Sequence, residues 1–257
     1  KAVSPDIIKR VNLFGQADVS HLGECPATFC HDLVDRLLQR FDVPATVFVA
    51  PGFLDGGLMF NDAITEIFRQ APAGLFDLQA FGLGSWQLDD WAGRRSAANK
   101  VTLQIKYQTL DERQSLIARL AQYAGASLPD SLMLSSEQLR QLNQSELIDI
   151  GAHTVNHPIL ARLDDVAAEA AIRASKAQLE HLLGESVELF AYPNGKPGND
   201  YLPQHVAQVQ RAGFRYALST SEGVARNRNA LFEVPRLGSW DRTPMRFLAR
   251  MCLLLAR

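Results

Sequence analysis

Leu147-Ile148-Asp149-Ile150-Gly151-Ala152-His153-Thr154-Val155-Asn156-His157-Pro158 is the stretch on which the reading of the fold turns. Leu147 to Gly151 has the apolar character of a sheet strand, and two histidines four apart follow directly on its end. Working outward, Val43-Pro44-Ala45-Thr46-Val47-Phe48-Val49-Ala50 is β-branched and nearly continuous, which suits a strand buried on both faces. Val187 to Tyr192 and Phe214 to Ser219 are two further strand candidates. Between the strands lie amphipathic stretches. Asp32 to Phe41 carries an apolar stripe, a helix opens at Ser135-Ser136-Glu137, Asp165 to Leu183 is closed by Gly184, and Pro203 to Ala212 by Gly213. Strand and helix alternating at this rhythm predict parallel strands joined by crossover helices. In such folds chemistry sits where the strands end, at their C-terminal edge.

At 257 residues the chain has room for a sizeable core. Hydrophobic residues make up 47% and charged residues 21%, which excludes a disordered tail, a fibre and a membrane bundle. A net charge of −2 gives no bulk attraction for a polyanion, so nucleic acid is not an expected partner. Three cysteines, Cys25, Cys30 and Cys252, are too few for a disulfide scaffold. No signal peptide or bilayer-spanning run is visible, which leaves the location between cytoplasm and cell envelope; the oligomeric state is not encoded. Residues 1–30 show little strand–helix rhythm and form an atypical N-terminal segment. Residues 31–257 read as one domain, with a helix-rich insertion at about 74–128 that holds Trp86, Trp91 and Tyr107.

His153 and His157 are the leading chemical candidates. If the loop after the strand makes a single turn, both imidazoles point to one side and share a metal ion at about 2.0–2.1 Å. Pro158 is expected to hold His157 extended. The alternative is that the rings merely cap the strand and bind loop carbonyls. A second strand end, Phe190-Ala191-Tyr192-Pro193-Asn194-Gly195, runs into a Pro/Gly loop. Turn chemistry explains it, yet such a loop also exposes N–H groups able to steady an oxyanion.

His153-Thr154-Val155-Asn156-His157-Pro158 resembles the second motif of the polysaccharide deacetylase superfamily, the NodB-homology group of carbohydrate esterase family 4. Ala191 to Gly195 is similar to its third motif. Val43 to Val49 with Gly52-Phe53-Leu54-Asp55-Gly56-Gly57 resembles that family's second strand and following loop. The resemblance runs from about His31 to the C-terminus. It implies an α/β fold, a distorted and incomplete TIM-like (β/α) barrel, and metal-dependent removal of N-acetyl groups from a polysaccharide or glycan intermediate. It also implies a divalent metal, often zinc, held by His153 and His157, and the backbone N–H of Asn194 as oxyanion donor.

The family's first motif, Thr-Phe-Asp-Asp-Gly, is absent. A gapless reading back from Val43 places Leu22-Gly23-Glu24-Cys25-Pro26 there, with Glu24 replacing the base and Cys25 the third metal ligand. Ala191 stands where the third motif has Arg, and no histidine follows His205, which is expected at the surface. Asp18, and a compact cluster of His21, Cys25, Cys30 and His31, carry weaker signals. Asp164-Asp165 and Asn61-Asp62 fit helix starts. Thr243 to Leu255 is basic and amphipathic; a closing helix of the barrel is expected over a helix on a membrane surface. Trp240 is expected to pack, with stacking on a sugar as the alternative. The alternative to the enzyme, which takes an N-acetylated saccharide, is an impaired deacetylase-like barrel that binds carbohydrate or an envelope-assembly partner. A third reading has the start of the chain altered.

Overall fold

A computed structural model describes residues 11–12, 38–225, 231–238, 241 and 243–256. In chain order the strands are β1 (Val11–Asn12), β2 (Ala45–Val49), β3 (Leu75–Asp77), β4 (Ser85–Gln87), β5 (Ile148–Ala152), β6 (Leu189–Ala191), β7 (Tyr216–Glu222) and β8 (Val234–Arg236). The helices are α1 (Phe60–Gln70), α2 (Trp91–Ile105), α3 (Leu110–Ala124), α4 (Ser136–Asn143), α5 (Asp165–Leu183), α6 (Pro203–Arg211) and α7 (Pro244–Ala256). The described residues fall into two compact units, one holding 11–12, 38–52 and those from 137 onward, the other 53–136.

The first unit holds a sheet in the order β1-β2-β5-β6-β7-β8, every pair parallel. Among the described residues the edge strands β1 and β8 are not paired with each other, as in the unclosed sheet of an incomplete α/β barrel. All five residues of β2 are buried, as its continuous apolar reading requires. Gly151 sits opposite Phe48, and a Cβ there would overlap the Phe48 ring, so the bare glycine face is what admits it. β1 has no signature in the sequence, because two paired residues are too few to register as a period. The register aligns the strand ends: Val49 lies opposite Ala152, Ala152 opposite Phe190, and Ala191 opposite Leu218.

The crossover helices follow their punctuation. The Asp164 carboxylate accepts from the Ala167 N–H at 2.7 Å and caps α5, and Gly184, with φ of 74°, ends it. α6 opens on Pro203. His205 is a correction: it is 1% exposed, not at the surface. Its Nδ1 accepts the Leu202 N–H at 3.0 Å, closing the first turn of α6, and that role holds the ring inward. α7 also departs from its expected role, since none of its residues is buried and Met245, Leu248, Leu253 and Leu255 remain exposed. Polar contacts tie it instead: the Arg250 guanidinium donates to Asp241 and Glu222. Among the described residues no helix is long and apolar enough to cross a membrane.

The second unit packs α1, α2 and α3 with the antiparallel hairpin β3–β4 around Ile64, Ile67, Phe68, Phe76, Val101 and Leu120. Arg94 donates to the carbonyls of Phe68 and Ala71 at 2.8 and 2.6 Å, satisfying the end of α1. Thr109 and Glu112 form a capping box at the start of α3.

Asp62, in the first turn of α1, has its carboxyl raised to about 6 by burial, with repulsion from Glu66 adding. The folded state therefore binds its proton more tightly than the unfolded chain does. Stability from this group is present below about pH 4, falls as pH rises towards 6, and stays lost above that. Asp62→Asn should flatten that slope and raise stability at pH 7.5 by about 1–2 kcal/mol, read as urea midpoints at pH 4 and pH 7.5. Equal midpoint gaps in the two proteins would contradict the assignment.

Candidate functional site

The site is built at the C-terminal edge of the sheet, all of it within the first unit. The His153 N–H continues the ladder by donating to the Val49 carbonyl at 2.9 Å, so the residue is held by the sheet itself. Its Nδ1 meets the Ala191 carbonyl, at the end of β6, at 2.6 Å. A carbonyl only accepts, so Nδ1 carries the proton and Nε2 carries the lone pair. Burial pushes the imidazole down to about 4; the Ala191 bond opposes this and the Arg236 charge adds to it. At neutral pH the ring is therefore uncharged, the form that ligates metals.

The His157 ring lies against it, centroids 4.6 Å apart and planes at 65°. The backbone between them departs from expectation at His157. Thr154 and His157 both adopt left-handed backbone, φ 59° and 50°, so Pro158 does not hold His157 extended. Non-glycine residues enter that region at a cost, and it is the packing of this loop that sustains them: Thr154 is fully buried and His157 nearly so. The loop is pinned from β2's side, where the Gly52 N–H donates to the Val155 carbonyl at 3.0 Å. A Cβ on Gly52 would lie 2.8 Å from that carbonyl and overlap the Asn156 side chain. Gly52→Ala should displace the His153–His157 loop and weaken any ion held there about tenfold with a much smaller change in melting temperature. Calorimetric zinc titration beside a thermal melt checks this, and unchanged affinity would contradict it.

The loop after β6 lies level with that loop in the sheet. Tyr192 donates its N–H to Leu218 and its hydroxyl to Phe232. Asn194 is left-handed, φ 59°; its carbonyl accepts from the Thr220 hydroxyl at 2.9 Å, and the next carbonyl, of Gly195, from the Thr220 N–H at 2.8 Å. These two hydrogen bonds from Thr220 fix the backbone orientation at Asn194. Asp200, buried, accepts from the Lys196 N–H and holds the rest of the loop.

Glu24 and Cys25 lie outside the described residues, as do Asp18, His21, Cys30, His31 and Trp240. Cys252 is a free, exposed thiol far along α7. Asp164 and Asp165 serve the start of α5, and Asp62 belongs to the other unit. Among the described residues no three His, Cys, Asp or Glu side chains group as a metal site. The two imidazoles nevertheless fit two positions of a divalent ion, because one is oriented through its far nitrogen and kept neutral. Two participants left no mark in the sequence reading. The Ala191 carbonyl is backbone, invisible to any motif of side chains. Arg236 sits in Val234-Pro235-Arg236, which reads only as an edge strand.

Residues 24–217 match the sequence profile of the polysaccharide deacetylase family. No curated protein matches the chain significantly. Among solved structures, a de-N-acetylase from Aggregatibacter actinomycetemcomitans is 12% identical with a TM-score of 0.51, over 88% of this chain and 71% of that one. The Streptococcus pyogenes deacetylase PplD, solved with acetate, is 16% identical with a TM-score of 0.49, over 88% and 66%. IcaB from Ammonifex degensii is 17% identical with a TM-score of 0.47, over 89% and 69%. The chain thus spans a little under two thirds of PplD's length. The first of these likenesses shows a shared fold.

Proposed function

This chain belongs to the polysaccharide deacetylase family, and on that premise we propose that it hydrolyses N-acetyl groups of a polysaccharide or glycan intermediate with a divalent metal ion, zinc by choice of ligands. The observation that carries the reading is His153, neutral, oriented by the Ala191 carbonyl, and ring to ring with His157 at the sheet's C-terminal edge.

His153 and His157 would hold the ion, with Cys25 as third ligand. When bound, such an ion supplies Lewis acidity towards the acetamide carbonyl and towards water. His153 keeps its Nδ1 proton on Ala191 throughout, so its Nε2 lone pair stays directed away from the β6 carbonyl. The backbone N–H of Asn194 would donate to the oxygen on which negative charge develops, from a backbone already fixed by the Thr220 contacts. Glu24 would take the proton of the attacking water and return it to the leaving amine.

The test is release of acetate from a partially N-acetylated glucosamine polymer by the full chain, with zinc added and with zinc removed by chelator. Zinc-dependent acetate supports the reading. Saccharide binding with no acetate under either condition would replace it by a carbohydrate-binding role.

A further inference from the structure

Arg236 ends β8, opposite Glu222 of β7, and its side chain turns back along the sheet so that Nε–H donates to the Ser219 carbonyl at 2.7 Å. A guanidinium has five N–H donors and keeps its charge at any ordinary pH. That single bond leaves four donors without a partner among the described residues, on a side chain largely withdrawn from water. In the same unit Arg140, Arg173, Arg211, Arg215 and Arg250 each pair with a carboxylate. Glu222, the acid nearest Arg236 in register, is bound by Arg250 instead. A cation taken partly out of water without a counter-ion is costly unless an anion arrives to meet it.

Its position says where that anion would sit. Ser219 directly follows Leu218, which lies opposite Ala191, whose carbonyl orients His153. We propose that the Arg236 guanidinium is a carboxylate-binding group at the His153 edge of the sheet, taking either released acetate or the carboxylate of an acidic sugar. Acetate as the natural ligand rests on the deacetylase reading above; the carboxylate site itself does not. A planar fork of N–H groups matches a carboxylate with two parallel bonds, which an ammonium cannot reproduce.

Binding of sodium acetate and of sodium glucuronate to the full chain, at constant ionic strength, is followed by saturation-transfer NMR, with acetamide as the neutral control and with chelator in a parallel sample. At least one carboxylate should bind, acetamide should not, and chelation should leave binding in place. Arg236→Met should weaken it about tenfold or more, and Arg236→Lys about three- to tenfold. Preference for acetate identifies the product as ligand, and preference for glucuronate identifies an acidic sugar. Neither binding, or equal binding by wild type and Arg236→Met, overturns the proposal, as does binding abolished by chelator. If Arg236→Met does not fold, Arg236→Lys decides, and affinity equal to wild type overturns it. Arg236-dependent binding without acetate release from the polymer would sink only the activity; acetate release with Arg236-independent binding would sink only this site.

Discussion

His153→Ala and His157→Ala should each lower acetate release by about 100-fold or more, because each removes an imidazole for which the loop provides no substitute. The two variants should differ in stability. His153 joins two strand ends through Ala191, so its removal leaves that buried carbonyl without a donor, at about 1–3 kcal/mol. His157 is held by the loop itself, in left-handed backbone that favours a smaller residue no more than the histidine. Activity should therefore fall alike in both, while the urea midpoint falls more in His153→Ala. Activity within threefold of wild type in either variant would remove the histidine pair from the chemistry.

Tyr192→Ala should be the most destabilising single change at the edge of the site. Tyr192 is fully buried, stacked on Tyr201 with centroids 3.8 Å apart, and meets Phe190 edge to face at 5.3 Å. Truncating an aromatic so placed costs about 3–5 kcal/mol, which lowers the melting temperature of a chain this size by about 10 °C. Burial holds the phenol well above its ordinary range, so it remains a donor to the Phe232 carbonyl. Tyr192→Phe keeps the ring packing and loses only that bond, about 1 kcal/mol. The loop carrying Asn194 starts at this ring, so the alanine variant should also lose activity beyond what its folded fraction explains. A melting point of Tyr192→Ala within about 2 °C of wild type would contradict the packing argument.

Much of this arrangement was legible in the sequence where one local force decided the outcome. β2 announced itself through Val43 to Ala50, because a strand buried on both faces has no polar alternation to confuse it. α5 has the bounds its Asp164 cap and Gly184 stop require. The histidine pair was visible from spacing and from the strand before it. What escaped depended on distant parts of the chain. His205 looks like a surface residue until Leu202 is seen to need its Nδ1. The left-handed φ of His157 runs against the usual bias before proline, and only the tertiary packing of residues 153–158 sustains it. The hairpin β3–β4 interrupts a helix-rich stretch with strands of three residues each, too short for periodicity. Arg236 carries no motif at all; its interest lies in the acids that are elsewhere engaged.

The most direct measurement loads the full chain with cobalt(II) and records its visible absorption beside that of His153→Ala, His157→Ala and the double variant. The wild type should bind a single ion per chain, with ligand-field bands that each single variant weakens and the double variant abolishes. Cobalt bound with the same spectrum by the double variant, or no cobalt bound by the wild type, would contradict the claim that these two imidazoles hold the ion.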